Sequence, residues 1–194
     1  MDLEEYNKRL GKVVNDLQNN MADTMIGIGA EAVRMIKERV IEKGIDAKGG
    51  KYRPYSTKPT LIGCKSFIQK GACDSVFGSK DKRKKLEWVT INGHKLAVLP
   101  GGYKKIREMQ GRQTAHVDFT MTRNMWNDIN IISREGNHRN GEVIIGARKE
   151  SEKKKLAGNT ASRGDILDLS PKEIYYLYKT YNLKTLQVFR NNGL

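Results

Sequence analysis

Cysteine is nearly absent from this 194-residue chain, which has only Cys64 and Cys73. Neither has a histidine close by in sequence, which argues against a locally built four-ligand zinc site. Reduced thiols rather than a disulfide are the expectation for a chain made in the cytoplasm. Long apolar runs are missing as well: none approaches the roughly 18 residues of a membrane span. The first ten residues, MDLEEYNKRL, are acidic and amphipathic, unlike a secretory signal. These absences point to a soluble protein, cytoplasmic at synthesis, with no membrane partner.

Catalytic signatures are equally scarce. The three histidines, His94, His116 and His138, lie far apart in polar or turn settings, and none belongs to an H-x-x-x-H or H-E-x-x-H pattern. No G-x-S-x-G elbow occurs. Asp165 and Asp168 have the proximity of a carboxylate pair, but Asp168 precedes a helix start, where negative charge is favoured anyway. The stretch KGIDAKGGKYRPYS, residues 43–56, places Gly44 and Gly49 at P-loop spacing. A P-loop then needs lysine at 50 and a hydroxyl residue at 51, where this chain has Gly50 and Lys51, and the segment leaves a helix instead of opening one. The sequence therefore predicts no catalytic residue, no metal site, no cofactor and no enzyme.

What the chain does have is basic charge, and most of it in one place. The net charge is +14, from 36 Lys+Arg against 22 Asp+Glu. Residues 1–47 carry −2, residues 48–112 carry +12 and residues 113–194 carry +4. Such asymmetry calls for an anionic partner, either nucleic acid or an acidic protein surface. The candidate residues facing it are Lys80, Lys82, Arg83, Lys84 and Lys85 before a β-hairpin, and Lys104, Lys105, Arg107 and Arg112 after it. Tyr52, Tyr55, Trp88 and Tyr103 are interleaved with them, as base-stacking groups or as cover for the hairpin's apolar face. One reading is a stand-alone nucleic-acid-binding protein using this basic middle third.

Periodicity supplies the architecture. Apolar residues recur every three or four positions from Leu3 to Val40, predicting one long amphipathic helix, bent near Gly27 and Gly29. Asp2 is its expected N-cap and Gly44 its terminating glycine. Residues 57–85 read as irregular or mobile. Asn92-Gly93 predicts a type I′ turn in a hairpin over residues 86–99, pairing Val89 with Leu96 and Trp88 with Ala97. A short basic helix ends near Gly111. Strands are expected at 127–133 and 142–148, followed by a polar run. Ser170-Pro171-Lys172-Glu173 has capping-box spacing and opens a last helix with Ile174, Leu177, Tyr178 and Tyr181 on one face. The fold class is α+β: a long N-terminal amphipathic helix packed on a small antiparallel sheet, with a basic hairpin-containing insertion and a short C-terminal helix.

Three segments in this order resemble the virion-morphogenesis or tail-completion proteins of tailed bacteriophages. The first is the loop Gly49, Tyr52, Pro54, Tyr55 and Ser56 after the long helix. The second is Thr122, Met125 and Ile129, with Arg123 where the family has glycine and Asp128 where it has serine. The third is Ile166, Leu167, Leu169, Ser170 and Glu173, which starts the last helix. The likeness covers residues 1–57 and 117–182. Residues 58–116 have no counterpart and read as a basic insertion, dividing the chain into a core of residues 1–57 and 117–194 around it.

The resemblance implies a non-enzymatic virion protein at the head–tail connector, neck or tail end, made in the host cytoplasm and assembled into the virion. It implies a homo-oligomeric ring joining portal or adaptor to tail proteins, with DNA passing through. The basic insertion would then line the channel in non-specific DNA contact, or dock on an acidic neighbour. In the loop, Tyr52 and Pro54 are expected to pack onto the core.

Overall fold

A computed structural model describes residues 2–63, 87–120, 123–136 and 141–194. The chain forms two compact units, residues 1–52 with 118–194 and residues 53–117. The sequence reading divides it at 57/58 and 116/117; the boundaries fall at 52/53 and 117/118.

The larger unit is built on α1 (Leu3–Lys37). Asp2 caps it by accepting a hydrogen bond from Glu5 N at 2.7 Å, with Glu4 and Glu5 in the positively polarised first turn. Val13, Ala32, Val33 and Ile36 bury the apolar stripe. Full burial of a valine or isoleucine side chain stabilises by about 1.5–3 kcal/mol. The helix runs unbroken through Gly27 and Gly29, and Gly29 serves packing: a Cβ there would meet Val143 Cγ2 at 2.8 Å and Ile131 Cδ1 at 3.0 Å. The departure from α geometry comes later, as a π-helical turn over Glu38–Glu42. Gly44 then ends the helix with φ 63°, the left-handed conformation that glycine adopts without a Cβ clash.

Against α1 lies a two-stranded antiparallel sheet, β4 (Ile129–Gly136) with β5 (Gly141–Ala147), its register broken by a bulge between Ile131 and Ser133. Ile129 and Ala147 are buried in the core, while Ile132 and Ile144 stand on the exposed side. Two helices here are not in the sequence reading. Asn127 and Asp128, expected to open the first strand, instead end a single helical turn, α3 (Asn124–Asp128). Trp126 anchors it, 2% exposed, with its indole N–H donating to the Asp118 carbonyl at 2.9 Å. The polar run after β5 is a helix, α4 (Glu150–Arg163). It has no continuous apolar face; Glu150 and Glu152 favour its N-terminus, and Lys153 and Lys155 pair back to them. α5 (Pro171–Asn191) runs antiparallel to α1 and closes the unit.

The smaller unit holds a three-stranded antiparallel sheet, order β1-β3-β2, from β1 (Thr60–Ile62), β2 (Glu87–Ile91) and β3 (His94–Leu99). The hairpin register is as the turn dictates, Val89 with Leu96 and Trp88 with Ala97, and Asn92 and Gly93 both have positive φ. β1 is a correction to the irregular reading of residues 57–85: Thr60–Ile62 pairs with Leu99–Ala97. The remainder of that stretch from Cys64 on, with both cysteines, lies outside the described residues. α2 (Gly102–Met109) is the short basic helix, followed by Gly111 at φ 66°.

Candidate interaction surfaces

Within KGIDAKGGKYRPYS, residues 45–51 fold into a closed turn, and its organiser is a residue the sequence reading passes over. One Asp46 carboxylate oxygen accepts from Lys48 N at 2.9 Å and Gly50 N at 2.8 Å, while Asp46 N donates to the Gly50 carbonyl at 2.7 Å. Gly49 sits at φ 85° inside this turn. A side-chain acceptor holds these amides, so the loop is a structural Asx turn. Tyr52 packs inward, edge-on to Phe119 with ring centroids 4.9 Å apart. Burial pushes its hydroxyl above the usual tyrosine pKa range. Pro54 does not pack as expected: it is exposed. Tyr55 is the buried residue there, beside Tyr103 in the smaller unit. Ser56 lends its carbonyl to Lys104 N at 3.0 Å.

The third motif carries a buried ion pair in the larger unit. Ser170 and Glu173 form both halves of the capping box, with Pro171 at the first helical position. Glu173 also turns inward to Arg39, whose Nε lies 3.0 and 3.2 Å from its two carboxylate oxygens. Both side chains are about nine-tenths buried. The remaining guanidinium nitrogens donate to the Ile45 carbonyl at 3.0 Å and to the Asp168 carbonyl. One arginine thus ties together the π turn, the Asp46 loop and the start of α5. Leu169 is half-buried and Met125 is buried, its sulfur 3.6 Å from Asn159 Nδ2. Thr122 lies outside the described residues.

Glu173 fixes the rotation of α5, which divides the predicted apolar face between the inside and the surface. Leu177, one turn on, is buried with it, and Tyr181 and Val188 follow half-buried. Ile174 and Tyr178 point outward instead, 53% and 62% exposed. They join Tyr175, Tyr176, Leu183 and Leu186, all at least half exposed. Tyr175, Tyr178, Asn182, Leu186 and Phe189 recur at steps of three and four. With Asn182 as its one polar member, this row gives α5 a second apolar stripe besides the packed one. Lys172, Lys179, Lys184 and Arg190 are exposed along the same helix, whose one carboxylate is the buried Glu173. At its start a cleft of about 620 Å³ opens between the end of α1 and α5, lined in part by Met35, Lys43, Ile45, Lys48, Lys172 and Tyr176.

In the smaller unit the proposed anion-facing residues divide. Lys105 stands at the surface and pairs with Glu108 at 3.2 Å. Lys104 and Arg112 are half-buried, and Arg112 donates to Gln110 at 3.0 Å. Arg107 is a correction. It is 1% exposed, its guanidinium carbon 4.5 Å from the Tyr55 ring centroid and its Nε donating to the Gln113 carbonyl at 3.1 Å. Such a buried group holds the unit together and does not stand at the surface. Trp88 has Lys95 Nζ 5.4 Å from its ring centroid. Lys80, Lys82, Arg83, Lys84 and Lys85 lie outside the described residues.

Known proteins add nothing to this picture: no family model, curated protein or solved structure matches the chain. Among the described residues no three His, Cys, Asp or Glu side chains gather as a metal site, and no helix is long and apolar enough to cross a membrane. His94 is exposed at the start of β3, His116 lends its carbonyl to Gln113, and His138 lies outside the described residues. Asp165 accepts from Leu167 N at 2.9 Å, a turn contact.

Proposed function

We propose that this chain is a structural subunit of a tailed-phage virion, at the head–tail connector, neck or tail end, working as a ring of identical copies through which DNA passes. The observation that carries the reading is the outward face of α5, where six large apolar side chains are at least half exposed. Large apolar side chains exposed together on one helix are what a protein interaction surface offers. The basic smaller unit supports the DNA side of the proposal. Fourteen basic residues against four acidic ones give residues 53–117 a net +10, leaving +4 for the larger unit. Dispersed lysines contact a passing phosphate backbone without reading sequence.

Mass photometry and negative-stain microscopy of the purified protein, alone and mixed with portal and tail proteins, test this directly. Closed rings, or incorporation into a portal or tail complex, are the expected result. A protein that stays monomeric in every mixture, yet is retained on DNA at low salt, replaces the proposal with the stand-alone nucleic-acid-binding reading.

A further inference from the structure

We infer that the cleft between the end of α1 and the start of α5 is a docking site for an acidic peptide segment of a different protein, one that sets a large apolar side chain among carboxylates. The inference goes beyond the ring reading and does not need it. At about 620 Å³ the cleft has the size of a ligand-binding pocket, and it lies wholly within the larger unit. Three segments supply its apolar lining: Met35 comes from α1, Ile45 and Ala47 from the loop that Asp46 organises, and Pro171 and Tyr176 from α5. Met35, Ile45 and Ala47 are half-buried, and Tyr176 is half exposed. A recess of this kind takes the apolar anchor of a partner.

Charge decides what surrounds that anchor. Eight charged side chains line the cleft, five basic and three acidic, and all three carboxylates are engaged within the chain. Glu173 faces Arg39, and Glu38 accepts from Lys43 Nζ at 2.7 Å and Arg34 Nη1 at 3.1 Å. Asp46 takes the Lys48 and Gly50 amides. Lys48 and Lys172 are left over: both are exposed, and neither ammonium makes a hydrogen bond or ion pair among the described residues. Two uncommitted cations beside an apolar lining select an amphipathic anion. A nucleic-acid backbone fits less well, because it brings a continuous row of phosphates and two lysines offer no matching row.

The probe is a capped, fluorescein-labelled peptide of sequence EEWLEE, titrated with the full chain at low salt and read by fluorescence anisotropy. A Kd tighter than about 1 mM is expected, with EESSEE and KKWLKK at least about tenfold weaker. Lys48→Glu/Lys172→Glu should weaken EEWLEE about tenfold or more, and Tyr176→Ser should weaken it less. Lys8→Glu/Lys12→Glu, the same charge change elsewhere on α1, should leave it unaltered. All these side chains are exposed, so an unchanged thermal midpoint separates lost docking from lost folding. No binding, equal loss in both charge variants, or EESSEE binding as tightly as EEWLEE overturns the inference. So does tighter binding of N-acetyltryptophan or a short oligo-dT, which makes the occupant a small carboxylate or a nucleic acid. A peptide that dissolves rings of the wild-type chain seats a second copy in the cleft, and overturns the assignment to a different protein. Rings that ignore the peptide overturn this inference alone, whereas a monomer that binds it as expected overturns only the ring reading.

Discussion

The two units use arginine in the same way and lysine differently. Arg39 in the larger unit and Arg107 in the smaller are both buried, and each donates to a backbone carbonyl six residues along the chain. A guanidinium has five donors in a fixed plane, so it can staple a loop where an ammonium cannot. Basic residues accumulate only in the smaller unit: of its fourteen, five fall between Lys80 and Lys85 and four more between Lys104 and Arg112. A net charge is therefore a poor guide to a surface until the buried arginines are taken out of it.

The largest way to sharpen this contrast is to break the Arg39–Glu173 pair. Glu173→Gln or Arg39→Met leaves the other charge buried and unpaired, which should cost about 3–5 kcal/mol of the larger unit's stability, read from urea unfolding. An effect below about 1 kcal/mol, the range of an exposed pair, means the contact is open in solution. Next in size, Arg107→Ala should lose about 2 kcal/mol through its ring contact while leaving DNA retention at low salt unchanged. Lys104→Ala/Lys105→Ala should do the reverse, holding the melting temperature and shortening retention. If both variants weaken DNA binding alike, Arg107 reaches the anion and the division between the two arginine roles is lost. The smallest effect concerns the exposed pairs at the end of α1. Arg34 holds the Glu31 carboxyl, and Lys43 the Glu38 carboxyl, below the ordinary glutamate range through hydrogen bonds to the charged form. Carboxyls depressed on folding stabilise above their unfolded pKa and lose that contribution as pH falls through the folded value. A slight drop in melting temperature below about pH 4.5 is expected, and it should vanish in Glu38→Gln/Glu31→Gln.

Legibility in the sequence follows how local the determining contact is. The hairpin is readable because Asn92-Gly93 sets turn and register within a few residues. The capping box is readable because Ser170 and Glu173 are three apart. The second role of Glu173 is not, since Arg39 lies 134 positions away, and the rotation of α5 goes with it. Hydrophobicity alone groups Ile174 and Tyr178 with Leu177 and Tyr181 on one face, and the buried ion pair turns half of that face outward. α4 escapes for the opposite reason. Periodicity detects helices that bury an apolar stripe, whereas the side this one turns inward, Glu152, Leu156, Asn159 and Arg163, is mostly polar. Asp46 is hidden by the glycines around it, although an aspartate two residues before an amide donor is itself a turn signal.

The π turn at Glu38–Glu42 makes the length of α1 a counted quantity. Each residue advances an α-helix by about 100°, so deleting one residue before Arg39 would leave a continuous helix with its arginine swung about a quarter-turn away. The Asp46 loop and the start of α5 would then lose their common anchor together. Substitution can drift freely along the solvent side of this helix, whereas its residue number between Gly29, seated against the sheet, and Arg39 is held to a single value.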